Sequence, residues 1–230
     1  MPTVPEDLPT KPVDAVRVAI ATTQSAAVAV PYLTKLCGMI SRRLERPTSG
    51  HMMISYEELS RGVQGDEFHL MWLPPLIALE ALPRGAAEAV AVPVRKGRTS
   101  YATAIFTAPD ASITELDQIA GKTVAWADPH SSAGYVLPRA LLQARSLDPD
   151  ALFGEQTFVG GHDKVVQAVL SGQADVGATY VHVEDDEIVG GAWGKREVRV
   201  LARLGPIPAD LRAIGRKADR RVESEMSREL

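Results

Sequence analysis

The sequence predicts an α/β protein made of two linked lobes, and three observations lead to this fold class. First, the apolar run AVRVAIATT is followed by QSAAVAVPYLTKLCGMISRRLE, which has helical periodicity, so the chain begins with a strand and then a helix. Second, residues from about 15 to 100 and from about 108 to 195 repeat one order of strands and helices. Third, Gly closes a helix in each block and an acidic residue precedes the next strand, in RGVQGDEFHLMW and in LSGQADVGATY. Two such blocks predict two lobes with a cleft between them, and ligand pockets favour such clefts.

Composition excludes several classes of protein. The chain has 230 residues, of which 45% are hydrophobic and 23% are charged, as in ordinary globular proteins. The net charge of -4 and the absence of a basic run interleaved with aromatic residues argue against nucleic-acid binding. No apolar stretch approaches the roughly 18 residues of a membrane-spanning helix. The single cysteine, Cys37, excludes an internal disulfide and lies in a helical apolar run, which predicts a buried and inert thiol.

The first block is predicted to continue beyond its opening strand and helix. A polar stretch leads to a second strand, HMMIS, and a short helix is predicted from Tyr56. A turn at Gly65 then precedes a strand from His69 to Leu73, and a Pro-Pro turn precedes another helix. We interpret AVAVPVRKGRTSYATAIFTAP as a pair of strands joined by an exposed loop, because both runs lack a helical period.

The second block is predicted to follow the same plan. Ser112 or Thr114 is available to cap a short helix. TFVGGHDKVVQAVLSGQADVGATY predicts a strand, a Gly-Gly turn, a helix from about His162 that stops at Gly172, and a strand. VEDDEIVGG is predicted to be an acidic loop, and VRVLARLGPIPADLRAIGRK to return as β structure. The last sixteen residues are rich in charge. Val222, Met226 and Leu230 are spaced four residues apart, which predicts a helix with these three side chains on one face.

The stretch WADPHSSAGYVLPRALL, from Trp126 to Leu142, is the strongest candidate for a binding site. A short buried strand runs into a polar turn in which Ser131 and Ser132 are natural N-caps, while Ala133 leaves the first helical turn bare. A helix N-terminus carries about half a positive charge and free N–H groups, so this turn predicts an anion site. The alternative is an ordinary βα turn whose serines cap the helix and bind nothing. Pro138 is predicted to kink the helix or to remove one of its backbone hydrogen bonds.

Three segments together resemble a known family, namely DPHSSAGY, GGHDKVVQAVLSGQADVGATY and LGPIPADLRAIGRK. They resemble the PhnD-like substrate-binding proteins of phosphonate, phosphite and phosphate ABC transporters, over about 16 to 216. The resemblance implies a two-lobed periplasmic-binding-protein-like (Venus flytrap) fold of type 2, with two crossing hinge strands. It also implies that Ser131, Ser132 and the Ala133 N–H bind the oxyanion, and that Tyr101 and His162 face the ligand.

Three groups of polar residues allow alternative chemistry. Ser132, His162 and Asp163 could be drawn as a hydrolase triad, but there is no G-x-S-x-G elbow and adjacent residues of a helix point in different directions. His130 with Asp128 and His182 with Glu184 are each a pair without a third metal ligand, so no metal is predicted.

Structural alternatives also apply to single residues. A strand tyrosine such as Tyr101 often packs at a sheet edge, and His162 could do no more than cap its own helix. Asp175 is predicted to be structural, and Trp72 to be core rather than a cleft wall.

The predicted function is that of a solute-binding protein, not an enzyme, that captures phosphonate, phosphite or phosphate in the interlobe cleft. No cofactor is predicted, the chain is expected to be a monomer, and an ABC transporter permease is the implied partner. The alternatives are a sensory domain and a cytoplasmic enzyme on the same fold, of the chorismate dehydratase type. The first function implies the periplasm if a leader has been removed, and a chain complete as written implies the cytoplasm.

Domain bounds follow from the repeated blocks. Lobe 1 is predicted to comprise residues 15–103 and 206–230, lobe 2 residues 104–205, and residues 1–14 a flexible N-terminal segment. The crossing strands that act as hinges are expected near Thr103 to Thr107 and Leu204 to Pro208.

Overall fold

Two sheets flanked by helices organise the chain. The computed structural model describes residues 15–21, 26–94, 97–218 and 221–224. The predicted flexible segment 1–14 and the apolar positions Met226 and Leu230 lie outside the described residues.

The strands are β1 (Val16–Ala21), β2 (Thr48–Met53), β3 (Leu70–Leu73), β4 (Ala87–Ala91), β5 (Ser100–Thr107), β6 (Thr123–Trp126), β7 (Glu155–Phe158), β8 (Val176–Glu184), β9 (Glu187–Gly191), β10 (Arg199–Pro208) and β11 (Leu211–Gly215). The α-helices are α1 (Ala26–Leu44), α2 (Tyr56–Gln64), α3 (Pro75–Ala81), α4 (Leu137–Ala144), α5 (Pro149–Leu152) and α6 (His162–Leu170). A 3₁₀-helix spans Leu116–Ile119, a π-helix spans Ser132–Val136, and residues 221–224 are helical.

The described residues divide into two compact units. The first takes in those of Met1–Arg95 and Ala209–Leu230, and the second those of Lys96–Pro208. The chain therefore leaves the first unit once and returns to it once.

The first unit is built on a sheet of strand order β2-β1-β3-β11-β4, in which β1 pairs in parallel with β2 and β3. One face is covered by α2 and α3. Against the other face α1 buries Leu33, Cys37, Ile40 and Leu44, a spacing that places them on one side of a helix. Burial raises the pKa of the Cys37 thiol, as expected of an inert cysteine.

The second unit is built on a sheet of order β10-β5-β8-β6-β7, with β9 paired to β8. β6 is parallel to both β7 and β8, whereas β5 is antiparallel to β8 and β10. Residues alternate between the faces of β5, so Ala104 and Phe106 pack on the α6 side while Ile105 packs on the α4 side. Thr103 and Thr107, expected in a hinge, are fully buried within β5.

The two strands predicted on either side of RKGRTS are confirmed as β4 and β5. They enter different sheets, because β4 bonds to β11, and β5 bonds to β8 and β10. Two other local predictions are corrected by the structure. The predicted acidic loop is a hairpin, in which Asp185 and Asp186 form the turn between β8 and β9 with φ values of 47° and 69°. The short 3₁₀-helix is capped by Glu115 in a capping box with Gln118, not by Ser112 or Thr114.

Pro138 lies where the π-helix passes into α4, so the predicted loss of a backbone hydrogen bond falls at this junction. It occupies the first turn of α4, where a missing N–H costs little.

Candidate functional site

The candidate site lies where β6 and β7 end, because both strands lead into the start of a helix. β6 and β7 are parallel, so their carboxyl ends share one edge of the sheet. The turn after β6 leads into the π-helix Ser132–Val136, and the turn after β7 leads into α6, which begins at His162. This arrangement brings Ser131 Oγ to 3.4 Å from His162 Nε2, although the two residues are 31 positions apart.

Ser131 is the N-cap of the π-helix, as the sequence predicts. Its Oγ accepts the backbone N–H of Gly134 at 3.0 Å, and its own N–H donates to the Asp128 carbonyl at 2.9 Å. Val136 N–H closes the wider turn on the Ser131 carbonyl at 3.0 Å. π-helical turns are rare and recur at functional sites, so this turn is a candidate on its geometry as well as on its sequence.

Ser132 carries the most informative side chain of the turn. Ser132 is 3% exposed, and its Oγ has no hydrogen-bond partner among the described residues. The backbone N–H groups of Ser132 and Ala133 likewise have no acceptor in the part of the chain that the structure describes. One hydroxyl and two N–H groups are therefore available in adjacent residues, which is the donor arrangement that an oxyanion requires.

Thr103 of β5 holds the π-helix in place. Thr103 Oγ1 donates to the Ala133 carbonyl at 2.6 Å and lies 3.4 Å from the Thr179 carbonyl of β8. Tyr101 lies two residues before Thr103 on the same face of β5, is half-buried and pairs across the sheet with Ile207. The structure thus places Tyr101 on the strand face that carries Thr103, and its contact with a ligand stays a prediction.

His162 is buried at the start of α6. Its Nδ1 lies 2.8 Å from Thr179 Oγ1, and its ring packs edge-on against Tyr180 with 5.1 Å between the ring centroids. Burial lowers the pKa of His162 from 6.5 to about 4, because the charged imidazolium would lose its hydration there. The imidazole is therefore neutral at physiological pH, and it presents one N–H donor and one acceptor.

Gly134 is required by the close packing of these groups. A Cβ at this position would lie 2.4 Å from the Ala127 Cβ, 2.9 Å from Ser131 Oγ and 3.0 Å from His162 Cε1. The carbonyl of Gly134 accepts the N–H of Ala127 at 3.1 Å, which ties the helix start to the end of β6.

Residues of the alternative triad and of one alternative metal pair have the following surroundings. His162 hydrogen-bonds to Thr179 and Ser131, whereas the neighbouring Asp163 is exposed. His130 Nδ1 lies 3.7 Å from Asp128 Oδ1, which also accepts the His130 backbone N–H at 2.8 Å. No group of three or more His, Cys, Asp or Glu side chains that could hold a metal occurs among the described residues.

Two functional candidates, Thr103 and Thr179, are missed by sequence reasoning as site residues. Both are fully buried and polar, and their neighbours along the strand are apolar on at least one side, Ala102 and Ala104 for Thr103 and Ala178 for Thr179. A hydroxyl at a core position of an apolar strand needs a partner, and that is the signal by which they could have been found.

Within the described ranges, no helix has the length and apolar character that a bilayer crossing requires.

In the first unit, Trp72 is half-buried, with its Nε1 donating to Asp210 at 2.8 Å and with Arg212 over its ring. It is therefore neither fully core nor fully exposed.

Comparison with known proteins gives one family and a set of similar structures. A family model described as "ABC transporter, phosphonate, periplasmic substrate-binding protein" matches residues 18–230. PhnD1 from Prochlorococcus marinus, solved in complex with methylphosphonate, superposes with a TM-score of 0.74 at 14% identity, over 94% of this chain and 83% of that one. A binding protein component of an ABC phosphonate transporter from Pseudomonas aeruginosa gives a TM-score of 0.74 at 19% identity, over 97% and 74%.

The periplasmic aliphatic sulphonate binding protein SsuA from Escherichia coli is more distant, with a TM-score of 0.56 at 20% identity, over 89% of this chain and 66% of that one. At these identities the likenesses show the fold. They confirm the predicted α/β periplasmic-binding-protein fold class.

Proposed function

We propose that this chain, which belongs to the family of periplasmic substrate-binding proteins of phosphonate ABC transporters, captures a small oxyanion at the start of the π-helix Ser132–Val136. The family resemblance inferred from the sequence is confirmed, and the family is one of solute-binding proteins. The proposed ligand is a phosphonate, phosphite or phosphate. The observation that carries this proposal is the buried Ser132 hydroxyl without a partner.

A buried hydroxyl without a hydrogen bond costs about 1 to 3 kcal/mol, so a protein retains one where something else satisfies it. Ser132 Oγ lies in the same residue as a free N–H, and Ala133 adds a second. A tetrahedral oxyanion supplies several acceptor oxygens, so one ligand can satisfy all three donors. Ser131, whose Oγ already accepts from Gly134, retains its hydroxyl hydrogen for the same ligand.

In this proposal the negative charge of the ligand is stabilised by dipoles and not by a cationic side chain. His162 is neutral because its pKa is lowered to about 4, and no Lys or Arg is among the described contacts of Ser131, Ser132 or His162. The partial positive charge of the helix start and the polarised N–H groups then stabilise the anion, as in other helix N-terminal anion sites. Tyr101 and His162 complete the proposed contacts.

The family description supports a proposal for the partner and the location. A periplasmic location and delivery to an ABC transporter permease are proposed on that basis, with a sensor as the other use of the same binding event. PhnD1 was solved with methylphosphonate, which makes methylphosphonate the first probe to test on this chain.

Isothermal titration calorimetry with methylphosphonate, phosphite, phosphate, sulfate and methanesulfonate tests the proposal. We expect saturable binding of at least one phosphorus oxyanion. The double variant Ser131→Ala, Ser132→Ala should bind it at least about tenfold more weakly, because hydrogen bonds to charged groups contribute about 1.5 to 3 kcal/mol each.

Ser60→Ala is the matched control, because Ser60 is a buried helical serine of the first unit whose Oγ bonds to Glu80 and Gln64. It should leave affinity unchanged. Binding of none of the five anions, or wild-type affinity in a folded double serine variant, would overturn the proposal.

A further inference from the structure

A chain of three buried polar side chains runs from the middle of β8 to the start of the π-helix. Thr179 Oγ1 lies 2.8 Å from His162 Nδ1, and His162 Nε2 lies 3.4 Å from Ser131 Oγ. We propose that Thr179 is a positioning residue that holds His162 in its Nε2–H tautomer and thereby makes the Ser131 hydroxyl a hydrogen-bond donor toward the ligand. This inference rests on the proposed function, and it goes beyond it by assigning the direction of each bond.

The first step is the direction of the Thr179 hydrogen bond. Thr179 is fully buried, and its hydroxyl hydrogen has His162 Nδ1 as its sole acceptor within reach among the described residues. If His162 instead carried its proton on Nδ1, the Thr179 hydroxyl would accept that bond and its own hydrogen would be left buried without a partner. An unsatisfied buried donor costs about 1 to 3 kcal/mol, which is enough to select the other tautomer. Thr179 therefore donates and Nδ1 accepts.

The second step is the consequence for the other ring nitrogen. A neutral imidazole has one N–H, so an accepting Nδ1 places the hydrogen on Nε2. Nε2 faces Ser131 Oγ, which already accepts the Gly134 N–H at 3.0 Å. Two donors thus point at the two lone pairs of one serine oxygen.

The third step is what remains for Ser131. A hydroxyl has two acceptor lone pairs and one hydrogen, and both lone pairs of Ser131 are now used. Ser131 can then only donate, so it can meet an ionised ligand oxygen but cannot accept a hydrogen from a ligand P–OH group. Thr179, which does not touch the ligand in this scheme, acts on it through His162 and Ser131.

Nitrogen NMR of the unliganded protein tests the first two steps directly. The ¹⁵N shifts of the His162 ring distinguish a protonated from an unprotonated nitrogen. We expect Nε2 protonated and Nδ1 unprotonated in the wild type and in Thr179→Ser, which keeps the hydroxyl. In Thr179→Val the Nδ1 signal should lose the shift of a hydrogen-bonded acceptor. A protonated Nδ1 in the wild type would overturn the inference, whatever the ligand.

Calorimetry with methylphosphonate tests the third step by a double-mutant cycle. Thr179→Val should weaken binding by about fivefold, because the donor that Ser131 offers to a charged ligand is no longer fixed. Thr179→Ser should restore most of the affinity. In the Ser131→Ala background the same Thr179→Val change should have no further effect, since the residue through which it acts is gone. Full additivity of the two changes would overturn the inference.

Thr107→Val is the matched control, since Thr107 is also fully buried and its Oγ1 donates to the Asp175 carbonyl at 2.7 Å. It should leave methylphosphonate affinity unchanged, and urea titration of every variant verifies folding. If Thr179→Val does not fold, the wild-type tautomer and the affinity of Thr179→Ser still test whether Thr179 positions His162.

The same variants distinguish a failure of the proposed anion site from a failure of the proposed role of Thr179. If the double serine variant binds methylphosphonate as the wild type does, the site itself is wrong. If that variant loses affinity while Thr179→Val keeps it, the site stands and the role of Thr179 is wrong.

Discussion

Ala127 donates its backbone N–H to the carbonyl oxygen of Gly134 at 3.1 Å, which joins the end of β6 to the first turn of the π-helix. Pro138 lies four residues after Gly134 and has no N–H, so it cannot make the α-helical bond to that carbonyl. The carbonyl is thereby left open to Ala127. The proline that the sequence marks as a helix breaker is thus compatible with the wider turn that presents the serines.

Gly134→Ala should destabilise the second unit, because the added Cβ would lie 2.4 Å from the Ala127 Cβ and 2.9 Å from Ser131 Oγ. Overpacking of this kind costs about 1 to 3 kcal/mol, and urea titration measures it. Gly190→Ala is the control, since a Cβ there meets no heavy atom within 4 Å. A Gly134→Ala variant as stable as the control would show that the turn shifts freely.

Ser131→Ala and Ser132→Ala should have different effects on the unliganded protein. Ser131 caps the π-helix, so its loss should lower the free energy of unfolding by about 0.5 to 2 kcal/mol. Ser132 Oγ has no partner among the described residues, so its removal should leave that free energy unchanged or raise it. Urea titration without ligand compares the two. Equal losses would mean that the Ser132 hydroxyl is already satisfied.

Stability should fall in acid because of His162. Its folded-state pKa, about 4, lies below the unfolded value of 6.5, so between these values the unfolded chain binds a proton that the folded chain does not. This contribution is fully present above pH 6.5 and is lost as pH falls toward about 4, by up to about 3 kcal/mol at 1.36 kcal/mol per pKa unit. Urea titrations across this range should show that His162→Gln loses less stability than the wild type. Parallel curves would contradict the assignment.

Asp175→Ala should weaken the fold without changing methylphosphonate affinity. Asp175 Oδ2 accepts from both the N–H and the Oγ1 of Thr123, each at 2.9 Å, at the end of β6 away from the serine turn. Losing these bonds should cost about 1 to 3 kcal/mol in urea titration. Asp110→Ala, an exposed carboxylate, serves as the control. A loss of affinity in a folded Asp175→Ala variant would mean that this end of the strand reaches the site.

The order of strands and helices follows from the sequence because hydrophobic period and glycine punctuation are local signals. The direct contact of Ser131 with His162 was not predicted, and it arises because β6 and β7 are parallel and end at the same edge of the sheet.

The partners of the strands, the β8–β9 turn and the role of Thr179 could not be predicted, because they depend on non-local geometry. Consecutive strands β4 and β5 enter different sheets, which no local period reveals. The turn of the β8–β9 hairpin uses Asp185 and Asp186 at positive φ, where glycine or asparagine would have signalled it. Thr179 gives no spacing signal at all, because its importance comes from the side chain it meets across the unit.

The neutrality of His162 bears on the kinetics of capture. Fixed dipoles act over a shorter range than a formal charge, so a site that relies on them gives little long-range steering to an approaching anion. The site itself should then contribute little to any dependence of the association rate on ionic strength. Discrimination between anions falls instead to the dissociation rate, that is, to how long each ligand is retained once its oxygens have met the serine turn.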